Sequence, residues 1–508
     1  MSLVLLHESD DVAVATAALS AGARLDAGRR EVTLRADVPA GHKVAVHDLP
    51  TGTLVRKYGQ VIGRTLADVG AGDHIHLHNL GMPDDAAARA GAEGAAGQTS
   101  PASGPEGMRR TFEGIRRPDG QTATRNFVGV LTTVNCSATV ARKVAARAEL
   151  EVEGVEGVDG VVALTHGTGC GMADAGEGWD LLRRTLAGYA RHPNIGGLVV
   201  LGLGCEVNAV SSLMDELGLA EHVPVAPYTI QEAGGTVAAV DRGLDLVRGM
   251  AKDLQGTSRE TVDVADLVLG LQCGGSDGYS GLTANPSLGV ASDLLVTAGA
   301  TSVLGETPEV YGAEHLLAAR AAEPAVADAL MARIRWWEEY TAKQGTTLDG
   351  NPSPGNKEGG ITTILEKSLG AVAKGGHSPL AAVCEYAEPI PRPGFVFMDT
   401  PGYDPVSVTG MVAGGANIVC FTTGRGSVFG SRPAPTVKLG TNAELAARMA
   451  GDIDLDCSGV VEQGIPVEEM GRRVYDLLLD VASGRQSASE ALGMGGEEIV
   501  PWQRGAVL

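Results

Sequence analysis

The chain has 508 residues, of which 44% are hydrophobic and 20% charged, a composition that fits a globular protein of roughly two to four domains and excludes a disordered chain. Its 40 basic and 62 acidic residues leave a formal net charge of −22, which argues against a nucleic-acid partner but leaves anionic small molecules open, because a pocket's local field can oppose the global charge. Seven cysteines without a CxxC pair exclude a disulfide framework, a zinc ribbon and a thioredoxin site; a start without a basic, apolar leader and the lack of an apolar run of about 18 residues argue against secretion and against a membrane, so the expected location is the cytoplasm.

In chain order, residues 31–35, 43–47, 52–59 and 74–79 alternate apolar and polar positions between Gly- and Pro-containing turns, which predicts a small all-β module over 1–80. Its last strand reads HIHLHN. Alternate residues of a strand share a face, so His74, His76 and His78, with Asn79, could grip a metal or an anion, or simply form an exposed strand face. Residues 81–120 contain GAEGAAGQTSPASGPEG and read as a linker. From 121 to 260, apolar runs at 127–134, 161–165 and 198–203 alternate with helical segments near 137–150 and 179–191. The same rhythm restarts at 266–271 and returns at 301–304, 395–398 and 417–421, giving a second unit over 261–508. Continuous apolar strands separated by helices imply α/β architecture with parallel sheets covered on both faces.

Ligands of such sheets bind beyond the carboxyl ends of the strands. Those ends carry Asn135-Cys136, His166 with Cys170, Cys205-Glu206, Cys273 with Asp277, Glu306 with Glu309, Asp399, and Cys420 with Arg425. A strand-end cysteine by itself is most often a small buried hydrophobe. Together, Cys170, Cys205, Cys273, Asp277 and Glu306 offer sulfur and oxygen donors that would suit iron or zinc. The segment NPSPGNKEGGITTILEKS, residues 351–368, reads as an extended loop leading into a helix that begins near Gly360. That helix N-terminus, with Lys357 beside it, would attract a carboxylate; Lys357 is a cation for a substrate or, if desolvated, a proton acceptor, unless the segment is only a solvated loop. In Gly202-Leu-Gly204-Cys-Glu-Val, Val207 stands where a dinucleotide fingerprint needs its third glycine, so NAD is not expected. Iron–sulfur chemistry would want clustered cysteines, which are missing, although a cluster gathered from separate strand ends stays open.

The segments GHKVAVHDL, KYGQVIG and HIHLHNL, then RNFVGVLTTVNCSATVA, THGTGCGM, LGLGCEVN, LQCGGSDGYSGLTANPSLG, GETPEVYGAE, NPSPGNKEGGITTILEKSLGAVAKGG and FMDTPGYDPVSVTGMVAGGANIVCFTTGRGS follow in one order over nearly the whole chain. They resemble the altronate/galactarate dehydratase family. The resemblance implies an SAF-type β-clip module (1–80), a linker (81–120), a middle α/β domain that helps dimerisation (121–260) and a Rossmann-like C-terminal domain (261–508). It also implies a divalent metal, Fe2+ first and Mn2+ as the alternative, and a small-molecule sugar acid dehydrated to a 2-keto-3-deoxy acid by a cytoplasmic homodimer. In that reaction Lys357 or His166 would take the C2 proton and Glu366 would protonate the leaving C3 hydroxyl. Arg425 or Lys367 would hold the carboxylate or polyol tail, with Asn356, His76, His78 and Asn79 completing the substrate site. The wording NKEGGITTILEKSLGA favours altronate over galactarate or another aldonate. A sulfolactate sulfo-lyase and a non-catalytic sugar-acid-binding protein are the alternatives, and fusion of the front module to the large part speaks against the former.

Overall fold

A computed structural model describes residues 2–28, 30–83 and 107–505. Most of the expected linker, residues 84–106, lies outside the described residues.

The front module is built of short antiparallel strands. β1 (Leu3–Val4), β2 (Val12–Ala15), β5 (Lys43–Ala45) and β8 (His74–Ile75) form one sheet, β3 (Arg24–Ala27) pairs with β4 (Arg30–Thr33), and β6 (Leu54–Lys57), β7 (Gln60–Thr65) and β9 (Leu80–Gly81) form a third. Alternation along β2 and β5 explains how the module docks. Ala13 and Val44 face the module's own core with Leu3 and Val32, whereas Val12 and Ala45 face a core shared with Leu269 and Leu288 of the C-terminal domain. The module is therefore not a free appendage.

Strand β10 (Thr111–Arg116) pairs antiparallel with β11 (Thr122–Ala123) on one side and β16 (Glu260–Asp263) on the other, closing the middle domain at its entrance and exit. Inside, β12 (Phe127–Thr132), β13 (Gly160–Leu164), β14 (Ile195–Gly202) and β15 (Val225–Thr229) make a parallel sheet in the order β13-β12-β14-β15. Helices α1 (Asn135–Val152) and α4 (Thr236–Leu254) cover the face carrying Val128 and Val130. Helices α2 (Glu177–Ala190) and α3 (Val210–Glu216) cover the face carrying Phe127 and Leu131. Both faces are covered, which is why these strands are apolar throughout.

The C-terminal domain holds a seven-stranded parallel sheet of β17 (Val268–Cys273), β18 (Thr301–Leu304), β19 (Leu380–Cys384), β20 (Gly394–Met398), β21 (Ile418–Thr423), β22 (Thr436–Gly440) and β23 (Leu455–Asp456), in the order β19-β20-β18-β17-β21-β22-β23. The chain is thus mixed α/β, with a strand-rich front and a large parallel sheet behind. No helix among the described residues is long and apolar enough to cross a membrane.

Candidate active site

In the large sheet, β17 pairs with β18 on one side and β21 on the other, so the loops leaving β17 and β21 part and open a crevice at their carboxyl ends. The two loops are stitched together by the N–H groups of Gly424 and Arg425, which donate to the Gly275 carbonyl at 3.1 and 2.8 Å. Asp277 completes that floor. Its buried carboxylate accepts from the Ser280 and Thr441 hydroxyls, the Asn442 amide and the Tyr279 N–H. Those donors occupy the oxygens expected to bind a metal, so Asp277 is a builder of the crevice and not a free ligand.

The front module covers the crevice. A Cβ on Gly278 would lie 2.0 Å from the Gly41 carbonyl oxygen, and one on Gly360, whose φ is +100°, would lie 2.5 Å from the same atom. Only glycine allows backbones this close. The approach carries in His42, whose Nε2–H donates to the Glu358 carbonyl at 3.1 Å. A carbonyl only accepts, so His42 Nδ1 is the bare nitrogen, 2.9 Å from His74 Nε2. The HIHLHN segment is not a single strand: β8 stops at Ile75 and residues 76–79 turn. Asn79 makes that turn, accepting the His76 N–H at 2.9 Å and donating to the His74 carbonyl at 3.0 Å, so it shapes the site instead of contacting substrate. The turn nevertheless keeps the imidazoles together. Ring centroids of His42, His74 and His76 are 4.8–5.6 Å apart, and His78, exposed at the rim, is 5.6 Å from His74.

One ring nitrogen from each of His42, His74 and His76 lies within 4.8 Å of the others. Burial, reinforced by the other histidines for His74 and by Lys43 for His76, holds both down to about 4. Neutral imidazoles are metal ligands. His76 Nδ1 is buried without a hydrogen-bond partner, which is what a nitrogen set aside for an ion looks like. The donor set fits a divalent transition ion.

On the other wall, residues 354–358 are not extended as expected. They form a short helix, Pro354–Glu358, closed by a capping box between Ser353 and Asn356. Asn356 is buried and donates to the Ser276 carbonyl at 2.8 Å, so it pins the wall to the crevice floor and does not face substrate. Lys357 is half-buried with its ammonium unpaired among the described residues, and Arg425 reaches Glu358 at 3.1 Å at the exposed mouth.

Beneath the histidines lies a buried ion triad. Glu366 accepts from Lys43 at 2.8 Å, from Lys57 at 2.9 Å, and from the N–H and hydroxyl of Thr362 at 2.9 and 2.8 Å. Burial opposes its ionisation, but the two ammonium groups hold the carboxyl far below its usual range. A group so firmly ionised cannot deliver a proton, and the expected role of Glu366 as general acid is corrected. The helix it sits on runs Ile364–Val372, capped by the Thr363 hydroxyl, and Glu366 itself fills its N-terminus; a substrate carboxylate cannot bind there.

The next residue, Lys367, joins a second cluster. Its ammonium lies 2.6 Å from Glu309 and 2.6 Å from the Asn351 side-chain oxygen, so it does not hold substrate. Lys374 lies 2.8 Å from the Cys273 sulfur and 3.6 Å from Glu306. Glu306 sits in the left-handed region at φ 66°, held there by the Thr400 hydroxyl, which accepts its N–H. Both its carboxylate oxygens are buried without hydrogen bonds. Burial, then the charge of Glu309, push its carboxyl well up, and burial pushes the Cys273 thiol up to about 12. Cys273, Glu306 and Glu309 have metal-ligating reach, yet the ammonium groups of Lys367 and Lys374 already stand against these donors.

The middle domain holds the remaining expected residues. His166 is buried, donates through Nε2 to the Thr132 carbonyl at 3.0 Å and accepts the Thr168 N–H on Nδ1 at 3.3 Å. Burial holds it down to about 4, and with both nitrogens engaged it is a loop-builder of the smaller sheet, not the base. Cys170 and Cys205 stand exposed on the rim of that sheet and belong to neither ligating group among the described residues, so the five expected metal ligands do not form one site. Sequence reasoning missed His42 and Lys374, and it named Glu309 at a strand end without giving it a role. Signals existed: Lys374 lies seven residues after Lys367, two helical turns on, and Glu309 three after Glu306.

Residues 1–83 match the altronate/galactarate dehydratase SAF domain, residues 114–255 the second domain of D-galactarate dehydratase/altronate hydrolase, and residues 264–507 the C-terminal domain of D-galactarate/altronate dehydratase. The chain is 36% identical over 492 residues to the altronate dehydratase of Escherichia coli strain K12, spanning 96% of this chain and 97% of that protein. It is 34% identical over 484 residues to the altronate dehydratase of Bacillus subtilis strain 168, spanning 95% of each. To the galactarate dehydratase (L-threo-forming) of E. coli K12 it is 35% identical over 492 residues, spanning 95% and 93%. Matched from end to end by the family's three domains and by these relatives, the chain belongs to the altronate/galactarate dehydratase family.

Proposed function

We propose that this protein is a hydro-lyase that dehydrates a sugar acid to a 2-keto-3-deoxy acid, with altronate as the leading substrate and galactarate or another aldonate next. Near full-length similarity to named altronate and galactarate dehydratases supports the reaction class. The observation that carries the site is the meeting of His42, His74 and His76 over the β17/β21 crevice, opposite the unpaired Lys357. The histidines would hold a divalent ion, Fe2+ first and Mn2+ as the alternative. Cys273, Glu306 and Glu309 are the poorer holder because two ammonium groups, those of Lys367 and Lys374, already occupy their surroundings. When bound, the ion supplies Lewis acidity toward the substrate's carboxylate and α-hydroxyl oxygens.

As the neutral amine, Lys357 would take the C2 proton and become an ammonium. With Glu366 excluded as an acid, the same ammonium returns that proton to the departing C3 hydroxyl; the two groups sit on adjacent carbons, so one residue serves both in turn. Arg425 at the mouth, freed from Glu358, would meet the carboxylate or the polyol tail, and His78 at the rim the far hydroxyls. The module covering the crevice excludes water from the reacting carbons. A β-clip front module, a Rossmann-like C-terminal sheet, a homodimer and a cytoplasmic location complete the reading on the strength of the family resemblance.

Anaerobic incubation with Fe2+ and a panel of aldonates, assayed for 2-keto-3-deoxy acids, tests the proposal. Turnover is expected on altronate, and Lys357→Met is expected to lower kcat by about 10²–10⁴-fold with divalent-ion binding intact. No turnover on any sugar acid sinks the dehydratase reading, and sulfite release from sulfolactate replaces it with a sulfo-lyase.

A further inference from the structure

Four of the seven cysteines are buried, as free cysteines usually are: Cys273, Cys384, Cys420 and Cys457. The other three, Cys136, Cys170 and Cys205, are exposed, and all three stand on the carboxyl rim of the middle-domain sheet. They follow β12, β13 and β14, which are adjacent in the order β13-β12-β14. Helix α1 leaves β12 on one face and α3 leaves β14 on the other, so the crevice of this sheet opens between the first turn of α1, which carries Cys136, and the loop that carries Cys205.

The three loops are fastened to one another within one to three residues of each cysteine. Asn135 N–H donates to the Thr168 carbonyl at 2.9 Å, and Asn208 N–H to the Gly169 carbonyl at 3.1 Å. The Asn208 side chain donates to the Thr133 carbonyl at 2.8 Å, and the Thr133 hydroxyl to Glu206 at 2.7 Å. Gly169, at φ +97°, passes so near that a Cβ would lie 2.2 Å from the Thr133 carbonyl oxygen. Glu206 also accepts the N–H groups of Leu203, Gly204 and Cys205 at 2.6–3.2 Å, which fixes the backbone that presents Cys205. These hydrogen bonds tie the rim together, and its three cysteines are exposed.

From this placement we propose that Cys136, Cys170 and Cys205 bind an iron–sulfur cluster of the four-iron type, distinct from the histidine site. Three exposed cysteines at three adjacent strand ends suit a cluster, which takes one thiolate per iron. A tetrahedral ion with metal–sulfur bonds of about 2.3 Å holds its sulfurs about 3.8 Å apart. Among the described residues the three sulfurs do not all lie within 4.8 Å of one another. A cluster spreads its cysteines over separate irons and accepts the wider spacing. Three thiolates for four irons leave one iron to an oxygen ligand, either water or a hydroxy acid's hydroxyl.

The test is anaerobic reconstitution of the full chain with Fe2+ and sulfide, followed by acid-labile sulfide analysis, visible absorption and electron paramagnetic resonance after reduction. Sulfide separates a cluster from a ferrous ion at the histidines. The natural chain is expected to hold about four sulfides and to show the broad absorption of a cluster. Cys136→Ser, Cys170→Ser and Cys205→Ser should each lose most of both, and Cys384→Ala should keep them. The three serine variants alter exposed side chains, so their thermal midpoints before reconstitution should match the natural chain's. Sulfide-free protein after reconstitution, a zinc ion or a disulfide at these cysteines, or a triple serine variant with unchanged absorption would each overturn the proposal.

Discussion

Glu366 and Lys367 are neighbours in sequence that serve two different charge clusters, the first facing Lys43 and Lys57 of the front module and the second facing Glu309. Removing one partner of a buried ion group leaves the others uncompensated, which costs about 3–5 kcal/mol. Glu366→Gln is therefore expected to lower the denaturation midpoint markedly, and a midpoint within a degree of the natural chain's would contradict the buried triad. His192 gives a pH signature. It is buried, accepts the Asn194 N–H at 3.1 Å and donates to the Ala416 carbonyl at 3.0 Å, so it is neutral in the folded chain. Burial holds it down to about 4, the carbonyl opposing and nearby Arg392 and Arg117 reinforcing. An unfolded imidazole titrates near 6.5, so between about 6.5 and 4 the unfolded state binds one more proton and stability falls as pH falls, by about 1.4 kcal/mol per unit. Above 6.5 this contribution is fully present. Urea midpoints measured at pH 7 and pH 5 should converge in His192→Gln relative to the natural chain. Neither residue announces its role in the sequence, because burial and the partner hundreds of positions away decide it.

The helix Ile364–Val372 depends on Thr363, whose hydroxyl accepts the Glu366 N–H at 3.3 Å and donates to the Ile62 carbonyl of the module at 2.5 Å. Thr363→Ala is expected to cost about 1 kcal/mol and to speed amide exchange in residues 364–372 ahead of the rest of the domain. Uniform exchange across the domain would remove the cap from the account. Elements of this kind were legible to different degrees. The parallel strands could be read directly, since burial on both faces makes them continuously apolar, and β12, β14 and β17 lie where the apolar runs lie. The segment 74–79 misled, because a turn closed by Asn79 repeats the same alternation as a strand. Residues 354–358 misled too. Their Pro and Gly content suggests an open loop, but Pro354 at the first helical position and Ser353 at the cap favour one helical turn.

At the scale of the molecule, an ion bound only by the folded chain stabilises it by mass action, about 2.7 kcal/mol at a free concentration one hundred times the Kd. With Mn2+ as an air-stable probe, the thermal midpoint should rise in the natural chain and stay put in His42→Ala. A persisting shift would place the ion elsewhere. This site could be anticipated only in outline. The rule that ligands collect at strand ends points to the β17 and β21 loops, yet the histidines that complete the crevice arrive from a module about 300 residues upstream, as the pairing of His42 with Glu358, 316 positions away, shows. Periodicity carries no information about such contacts.

The same distance orders the life of the nascent chain. Lys43 and Lys57 are made 323 and 309 residues before the carboxylate that neutralises them. Domains fold as units from the N-terminus during synthesis, so the module waits with two solvated ammonium groups until the helix Ile364–Val372 leaves the ribosome. Burial of those charges is unfavourable before Glu366 arrives and favourable after it. The crevice thus closes only on a chain that has been translated past its last partner, and a prematurely terminated product keeps its histidines in water.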